Sequence, residues 1–302
     1  MRRALLLLLV LLLAGLGGGC GGGDDEDGGG EAAAPATTGA AETSPDACSK
    51  DQLTLVNDGQ LTIGTDNPAF PPWFEGPEPG TPWDPTKEPT KKGYEAEVAY
   101  AVAEELGFRD DEVRWVVVPF DRSFAPGPKD FDFDINQVSY QERRDESVDF
   151  SDSYYDVQQA VVTLKRSEFA GATSLADLES AKLGAPVGTT SLDAINDVIQ
   201  PGPEPAVFNT LNDAVTALKN GQVDGIVVDY PTSLFITAVQ VPNGTTVGRL
   251  PAEGQEYFGL VFEEGNPLRD CVNEALATLK EQGQLDEFAQ EWIEGQAPPV
   301  LH

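Results

Sequence analysis

From Leu53 to Ile293, short β-branched runs alternate with helical stripes, and this alternation is the strongest constraint on the fold. Leu61–Thr65 reads as a strand ending at Asp66, Val113–Val118 as a second and Phe131–Val138 as a third. Glu95–Leu106 sets Val98, Ala101, Val102 and Leu106 on one helical face and stops at Gly107. Ser174 and Asp177 form a capping box for a short helix. Lys182–Val187 follows as a strand, Gly188-Thr189-Thr190 as a turn and Ser191–Ile199 as a helix. The stripe Leu211, Ala214, Val215 and Leu218 is stopped by Gly221, and the apolar strand Val223–Val228 ends at Asp229. Two more stripes close the chain: Val272, Ala275, Leu276 and Leu279, then Leu285, Phe288, Trp292 and Ile293. Such alternation predicts an α/β fold with mostly parallel sheets. Ligands of such sheets gather beyond the carboxyl ends of strands, which draws Asp66, Ser139, Gly188–Ser191 and Asp229 together.

Charge narrows the function. The 302 residues carry 19 Lys+Arg against 51 Asp+Glu, a net charge of −32. That balance leaves no cationic surface to displace phosphate counterions, which excludes nucleic acid and basic-patch docking on anionic lipid. The single histidine, His302, removes His-based triads and His-rich metal sites. No cofactor and no metal are expected; Asp24-Asp25-Glu26-Asp27 lacks the alternating ligand spacing of a calcium loop.

The N-terminus gives an address. Met1-Arg2-Arg3 precedes eleven apolar residues, Ala4–Ala14, too few to span a bilayer as a helix, so residues 1–19 read as a signal peptide. The small residues leading into Cys20 resemble a bacterial lipobox, although Leu16 stands four residues before the cysteine instead of three. Cys20 is therefore the expected lipidation site, holding the protein outside the bacterial cell membrane; ordinary cleavage near Gly19 is the alternative. Removing the signal leaves 17 basic against 51 acidic residues. Residues 20–47 form an acidic Gly/Ala-rich tether, with no aliphatic larger than Ala in 21–47, so they are expected to be flexible. Cys48 and Cys271 then remain, an even pair in an oxidising compartment, which favours a disulfide over two free buried thiols.

Five motifs carry a family resemblance: LTIGTDNPAFPP (Leu61–Pro72), GYEAEVAYAVAEELG (Gly93–Gly107), VDFSDSYY (Val148–Tyr155), VGTT (Val187–Thr190) and NGQVDGIVVD (Asn220–Asp229). In this order they are similar to family 3 extracellular solute-binding proteins, receptors of polar amino-acid ABC importers. The resemblance implies an α/β, two-lobed periplasmic-binding-protein-like (type II) fold with two crossover strands and a ligand cleft between the lobes. Lobe 1 would comprise 48–157 plus 255–302 and lobe 2 158–254, with crossovers near Asp156–Thr163 and Ala252–Phe258.

A zwitterionic ligand needs a bidentate arginine for its carboxylate and a carboxylate for its ammonium. The family register, five residues after Ser139 and six before Phe150, selects Arg144 over Arg143, although Tyr140-Gln-Glu-Arg143 departs from the family pattern. Thr189, Thr190 and Ser191 lie at a helix N-terminus, able to bind the carboxylate or simply to cap the helix. Asp229 matches the ammonium partner, or alternatively caps the helix Pro231–Ala238. Ser139 and the main chain near Asn136 and Gln137 would add hydrogen bonds. Asp66, Phe70, Trp73 and Phe120 would meet the ligand side chain, with core packing as the alternative for the aromatics and loop bonding for Asp66. The insertion Glu75–Lys92 would rim the cleft. The resemblance thus implies a monomeric binding protein that closes on an amino acid and serves ABC permease subunits. The alternatives are a cyclohexadienyl- or arogenate-dehydratase-like enzyme on the same fold, or a ligand sensor.

Overall fold

The computed structural model describes residues 47–251, 256–293 and 298–302. The expected signal segment, Cys20 and all but the last residue of the expected tether lie outside the described residues, as does the 252–255 part of the second expected crossover.

The first sheet has five strands in the order β2-β1-β3-β12-β4: Leu61–Thr65 (β1), Val113–Val117 (β2), Phe133–Asp134 (β3), Val148–Phe150 (β4) and Val261–Glu263 (β12). The second runs β10-β6-β9-β7-β8: Gln159–Leu164 (β6), Leu183–Pro186 (β7), Ala206–Phe208 (β8), Gly225–Asp229 (β9) and Gly244–Arg249 (β10). Between them, Tyr155–Asp156 (β5) pairs antiparallel with Tyr257–Phe258 (β11), the two strands by which the chain passes from one lobe to the other. The expectation of mostly parallel sheets needs correction. β1 runs parallel to β2 and β3, and β7 to β8 and β9. Strands β12 and β6, which enter directly after a crossover, run antiparallel to their neighbours. A chain arriving from the other lobe comes without a helix to carry it back to the starting edge, so it inserts in the opposite sense.

The helices Tyr94–Glu105 (α1), Leu268–Glu281 (α7) and Gln284–Trp292 (α8) bury their apolar faces in the first lobe. Gly93 precedes α1 at φ +107°, where an added Cβ would lie 2.3 Å from the Trp73 carbonyl oxygen, so no larger residue fits without displacing that loop. Short helices Phe120–Ser123 (α2) and Glu142–Asp145 (α3) also belong to this lobe. In the second lobe, Leu211–Lys219 (α5) packs Ala214, Val215 and Leu218 against the sheet, while Thr190–Ala194 (α4) and Tyr230–Phe235 (α6) each run into a π-helical turn.

Two local expectations differ from the structure. The run Phe131–Val138 keeps ladder pairing only over β3. Asp132 instead accepts the backbone N–H groups of Thr62 at 2.6 Å and Val56 at 2.7 Å, and Gln137 turns out of the strand at φ 49°. The Ser174–Asp177 box opens only the 3₁₀ turn Ala176–Leu178, with Asp177 accepting from Ser174 N at 3.0 Å. The insertion after Glu75 is anchored inward: Trp83 is buried, stacks on Phe74 and bridges to Ala69.

Cys48 and Cys271 form a disulfide, Cα–Cα 5.3 Å, linking the first described residues to α7 across 223 positions. The C-terminal residues part from the assignment of 255–302 to lobe 1. Residues 298–302 dock on the second sheet: Leu301 N donates to Arg249 O at 2.8 Å, Arg249 N to Pro299 O at 2.9 Å, and Leu301 is fully buried in that lobe's core. The cause is apolar complementarity, since the side chain of Leu301 fills the space above Gly248. No helix among the described residues is long and apolar enough to cross a membrane.

Candidate functional site

The strand ends of both sheets meet where the chain crosses between lobes. α3 is short, and it directs Arg144 inward; this arginine is 4% exposed. Its Nη1 donates to Ser139 O at 2.6 Å in the first lobe and its Nη2 to Gly188 O at 2.9 Å in the second. Phe124 and Phe120 cover the guanidinium at 4.4 and 5.6 Å from their ring centres. Among the described residues no carboxylate forms an ion pair with it. Burial, with Arg143 beside it, lowers its pKa to about 10. A desolvated guanidinium satisfied only by neutral carbonyls is a strong receptor for an anion, because a carboxylate would recover the charge pairing that burial removed.

Across the cleft, Asp229 ends β9 beside Gln159 at the start of β6, its antiparallel partner. The Gln159 side-chain NH₂ group reaches Asp229 Oδ1 at 2.7 Å, Glu256 Oε1 at 3.1 Å and Thr190 Oγ1 at 3.2 Å, while its Oε1 accepts from Ser191 Oγ at 2.7 Å. Ser139 Oγ donates to Glu256 Oε1 at 2.9 Å and stands 3.4 Å from Thr190 Oγ1. Burial and the neighbouring Glu256 push the Asp229 carboxyl up to about 7, against the opposing pull of the Gln159 hydrogen bond and of Arg144. Asp229 is also the N-cap position of α6, but its side chain makes no capping bond, so the helix-capping alternative falls away. Among the described residues the cleft therefore holds a cation without an ion-pair partner on one side and two carboxyl groups without one on the other. A cavity of about 250 Å³ opens beside this network, lined in part by Gln159, Thr190, Asp193 and Glu256.

The other residues singled out in the sequence take varied places. Thr189 is the N-cap of α4: its Oγ1 accepts from Leu192 N at 3.2 Å and donates to Pro186 O at 2.8 Å, so its hydroxyl serves the helix. Trp73 is 2% exposed among Tyr94, Tyr155 and Phe258, and its Nε1 donates across the lobes to Thr232 Oγ1 at 3.2 Å. Phe70 also faces the opposite lobe, 5.8 Å from the ring of Phe235. Gln137 donates its backbone N–H at 2.8 Å and its side-chain amide to Glu95, which also accepts from Tyr154 Oη. Glu95 is fully buried, and burial pushes it up to about 7. Asp66 is partly buried, accepts from Asn67 N at 2.7 Å and is raised by burial and by Asp121. Outside the cleft centre, Arg143 pairs with Asp193 at 2.8 Å from lobe to lobe.

Gln159 and Glu256 were not selected from the sequence. Gln159 opens an all-buried strand, and Glu256 stands in a Gly/Glu-rich stretch, so neither has local punctuation; only the pairing of β6 with β9 and of β5 with β11 brings them to the cleft.

Comparison with known proteins gives the family. Residues 61–295 match the bacterial extracellular solute-binding proteins, family 3. The chain is 29% identical over 167 residues to the ABC transporter glutamine-binding protein GlnH of Bacillus subtilis (strain 168), covering 54% of this chain and 58% of that protein. Among solved structures, an ancestral arginine-binding protein bound to arginine is similar at 28% identity and a TM-score of 0.62, over 78% of this chain and 99% of that one. The ancestral amino acid-binding protein AncCDT-1, a precursor of cyclohexadienyl dehydratase, is similar at 25% identity and a TM-score of 0.61, over 78% and 96%. The chain belongs to the bacterial extracellular solute-binding proteins, family 3.

Proposed function

We propose that this protein is the substrate-binding component of an ABC importer, closing on a polar amino acid outside the cytoplasm and delivering it to the membrane permease. The observation that carries the reading is the buried Arg144, held on carbonyls of both lobes with no carboxylate partner among the described residues, facing Asp229 and Glu256. These are the complements of an α-carboxylate and an α-ammonium. In this reading Arg144, Ser139 and Thr190 hold the carboxylate, Asp229 the ammonium, and Phe70, Phe120 and Asp66 the side chain. Thr189, Ser191, Gln137 and Trp73 position these groups through the bonds described above. Both lobes contribute, so ligand contacts favour the closed state. The protein acts as a monomer, without catalysis, and is held at the membrane by a lipid on Cys20.

Thermal shift against the twenty amino acids, with prephenate as a control for dehydratase chemistry, tests the proposal. A ligand present at 100 times its Kd adds about 2.7 kcal/mol to the folded state and raises Tm measurably. Silence across all twenty, or turnover of prephenate, would overturn it.

A further inference from the structure

Glu95 is a carboxylate that the proposed site does not use, fully buried in the first turn of α1. Its Oε1 accepts the backbone N–H of Gln137 at 2.8 Å and the hydroxyl of Tyr154, and its Oε2 accepts the side-chain amide of Gln137. Among the described residues no cation forms an ion pair with it. Neutral donors alone satisfy the carboxylate, and both Gln137 bonds come from one residue. Tyr154 is itself fixed: it is buried, its backbone N–H donates to Phe258 O at 3.0 Å, and its carbonyl accepts from Tyr94 Oη at 2.6 Å.

Gln137 is where the chain leaves the first sheet for the cleft. Ile135 N still donates to Gly64 O at 3.0 Å; then Gln137 turns at φ 49°, and Val138 and Ser139 run alongside β11. Among the described residues only Gln137 and Gln200 have positive φ without being glycine. Gln200 follows a helical turn, where a left-handed residue is a common stop. Gln137 ends no helix, so its side chain is held there against its own steric preference. Two residues on, the Ser139 carbonyl receives Arg144 Nη1 at 2.6 Å. A return of Gln137 to negative φ would rotate the peptide planes that follow and carry that carbonyl away from Arg144. The ionised carboxylate suits the task, because it accepts every one of these bonds and donates none. Burial raises Glu95, and the bonds from Tyr154 and Gln137 oppose that rise.

We propose that Glu95 is a positioning residue of the binding site: by holding Gln137 in its left-handed turn, it sets where Ser139 meets Arg144 and so how tightly a ligand carboxylate is held. This role deepens the proposed function and rests on it, adding a residue that acts without touching the ligand. The same carboxylate holds Tyr154, next to the crossover strand β5, so one buried group fixes the cleft loop relative to the crossover.

The test separates the loop from the ligand. Amide exchange measured by NMR on the ligand-free full chain should find the Gln137 N–H protected in the wild type. Exchange there should be about tenfold faster or more in Glu95→Gln, whose side-chain amide presents a donor where Gln137 and Tyr154 already donate. Calorimetry then uses whichever of the twenty amino acids raises Tm most. Glu95→Gln should bind it roughly tenfold more weakly, the range of a hydrogen bond to a charged group. Tyr154→Phe removes a donor to the same carboxylate but leaves both Gln137 bonds, so it should lower Tm while affinity stays within about twofold. Combined with Gln137→Gly, the Glu95→Gln loss should shrink to about threefold or less, because glycine takes positive φ unaided. An unprotected Gln137 amide in the wild type overturns the proposal and requires no variant to fold. Full affinity in a folded Glu95→Gln protein also overturns it, as does an equal loss with and without Gln137→Gly, which would leave Glu95 a purely structural acid. Silence to all twenty amino acids fails the receptor reading and the ligand part of this one, while exchange still decides whether Glu95 holds the loop.

Discussion

Arg144 in the first lobe and Gly188 in the second are joined by a 2.9 Å hydrogen bond from Nη2 to the backbone carbonyl, so the residue that offers a positive charge to the cleft also closes it. Gly188 adopts φ +74°, a left-handed turn that glycine makes without strain and that leads the chain into α4. In the proposed function, binding and closure are thereby coupled through one guanidinium. Replacing it with a flexible ammonium would keep the charge and lose the fork that reaches both lobes.

Arg144→Ala should weaken amino-acid binding by about 30-fold or more, since truncating one partner of a buried charged pair costs about 2–5 kcal/mol. Arg144→Lys should fall between alanine and wild type. Calorimetry measures the affinity, and small-angle scattering of the ligand-free variant should report a larger radius than wild type if the Gly188 bond helps hold the lobes together.

Asp229 and Glu95 each titrate at about 7 in the folded protein, raised by burial from ordinary carboxyl values. The folded state therefore retains protons that the unfolded chain has released. Stability of the ligand-free protein should be highest below about pH 4 to 5 as far as these groups decide it, fall as pH rises to about 7, and level off above. Asp229→Asn should reduce the Tm difference between pH 5 and pH 8, and Glu256→Gln should reduce it in part by removing the neighbouring charge. Ligand affinity should move oppositely: an ammonium needs ionised Asp229, so binding should weaken below pH 7 by up to about tenfold per pH unit.

The Cys48–Cys271 disulfide closes a loop spanning most of the folded chain. The chain-entropy model gives about 5 kcal/mol for so long a loop. Cys48→Ser with Cys271→Ser should lower Tm by roughly 10–20 °C, at about 2–4 °C per kcal/mol for a chain of this size. Scanning calorimetry, with reduced wild type alongside, checks it. Ligand affinity should change little, because neither cysteine touches the cleft.

Leu301 is fully buried in the second lobe. Leu301→Ala should cost about 2–5 kcal/mol, the range for emptying a packed leucine site. Urea denaturation measures it directly.

Much of this arrangement was legible from local pattern. β1 coincides with the alternating run before Asp66, and α1 with the stripe stopped at Gly107, because burial periodicity and a glycine stop act within a few residues. Motif register singled out Arg144 and Asp229, and the structure places Arg144 against Ser139 and Gly188 and Asp229 against Gln159; their ligand roles belong to the proposed function. The central role of Gln159 was not legible, because it arises from a strand pairing between residues 70 positions apart. Trp73 illustrates the opposite case: a residue picked for the ligand is packed among aromatics and reaches over to Thr232, and nothing in its neighbouring sequence distinguishes a cleft wall from a joint between lobes.

The docking of residues 298–302 on the second sheet bears on how the chain reaches its native state. The second lobe occupies the middle of the sequence, yet Leu301 completes its core and the carbonyl of His302 receives Leu175 N at 3.2 Å. The first lobe likewise waits for α7 and α8. Each half is completed by contacts that are long-range in sequence. Such long-range closure slows folding, since loop entropy is lost before the contacts repay it. A polypeptide crossing a membrane must still be unfolded, and a fold whose middle is completed by residues 298–302 is suited to staying so until that late segment has followed it across.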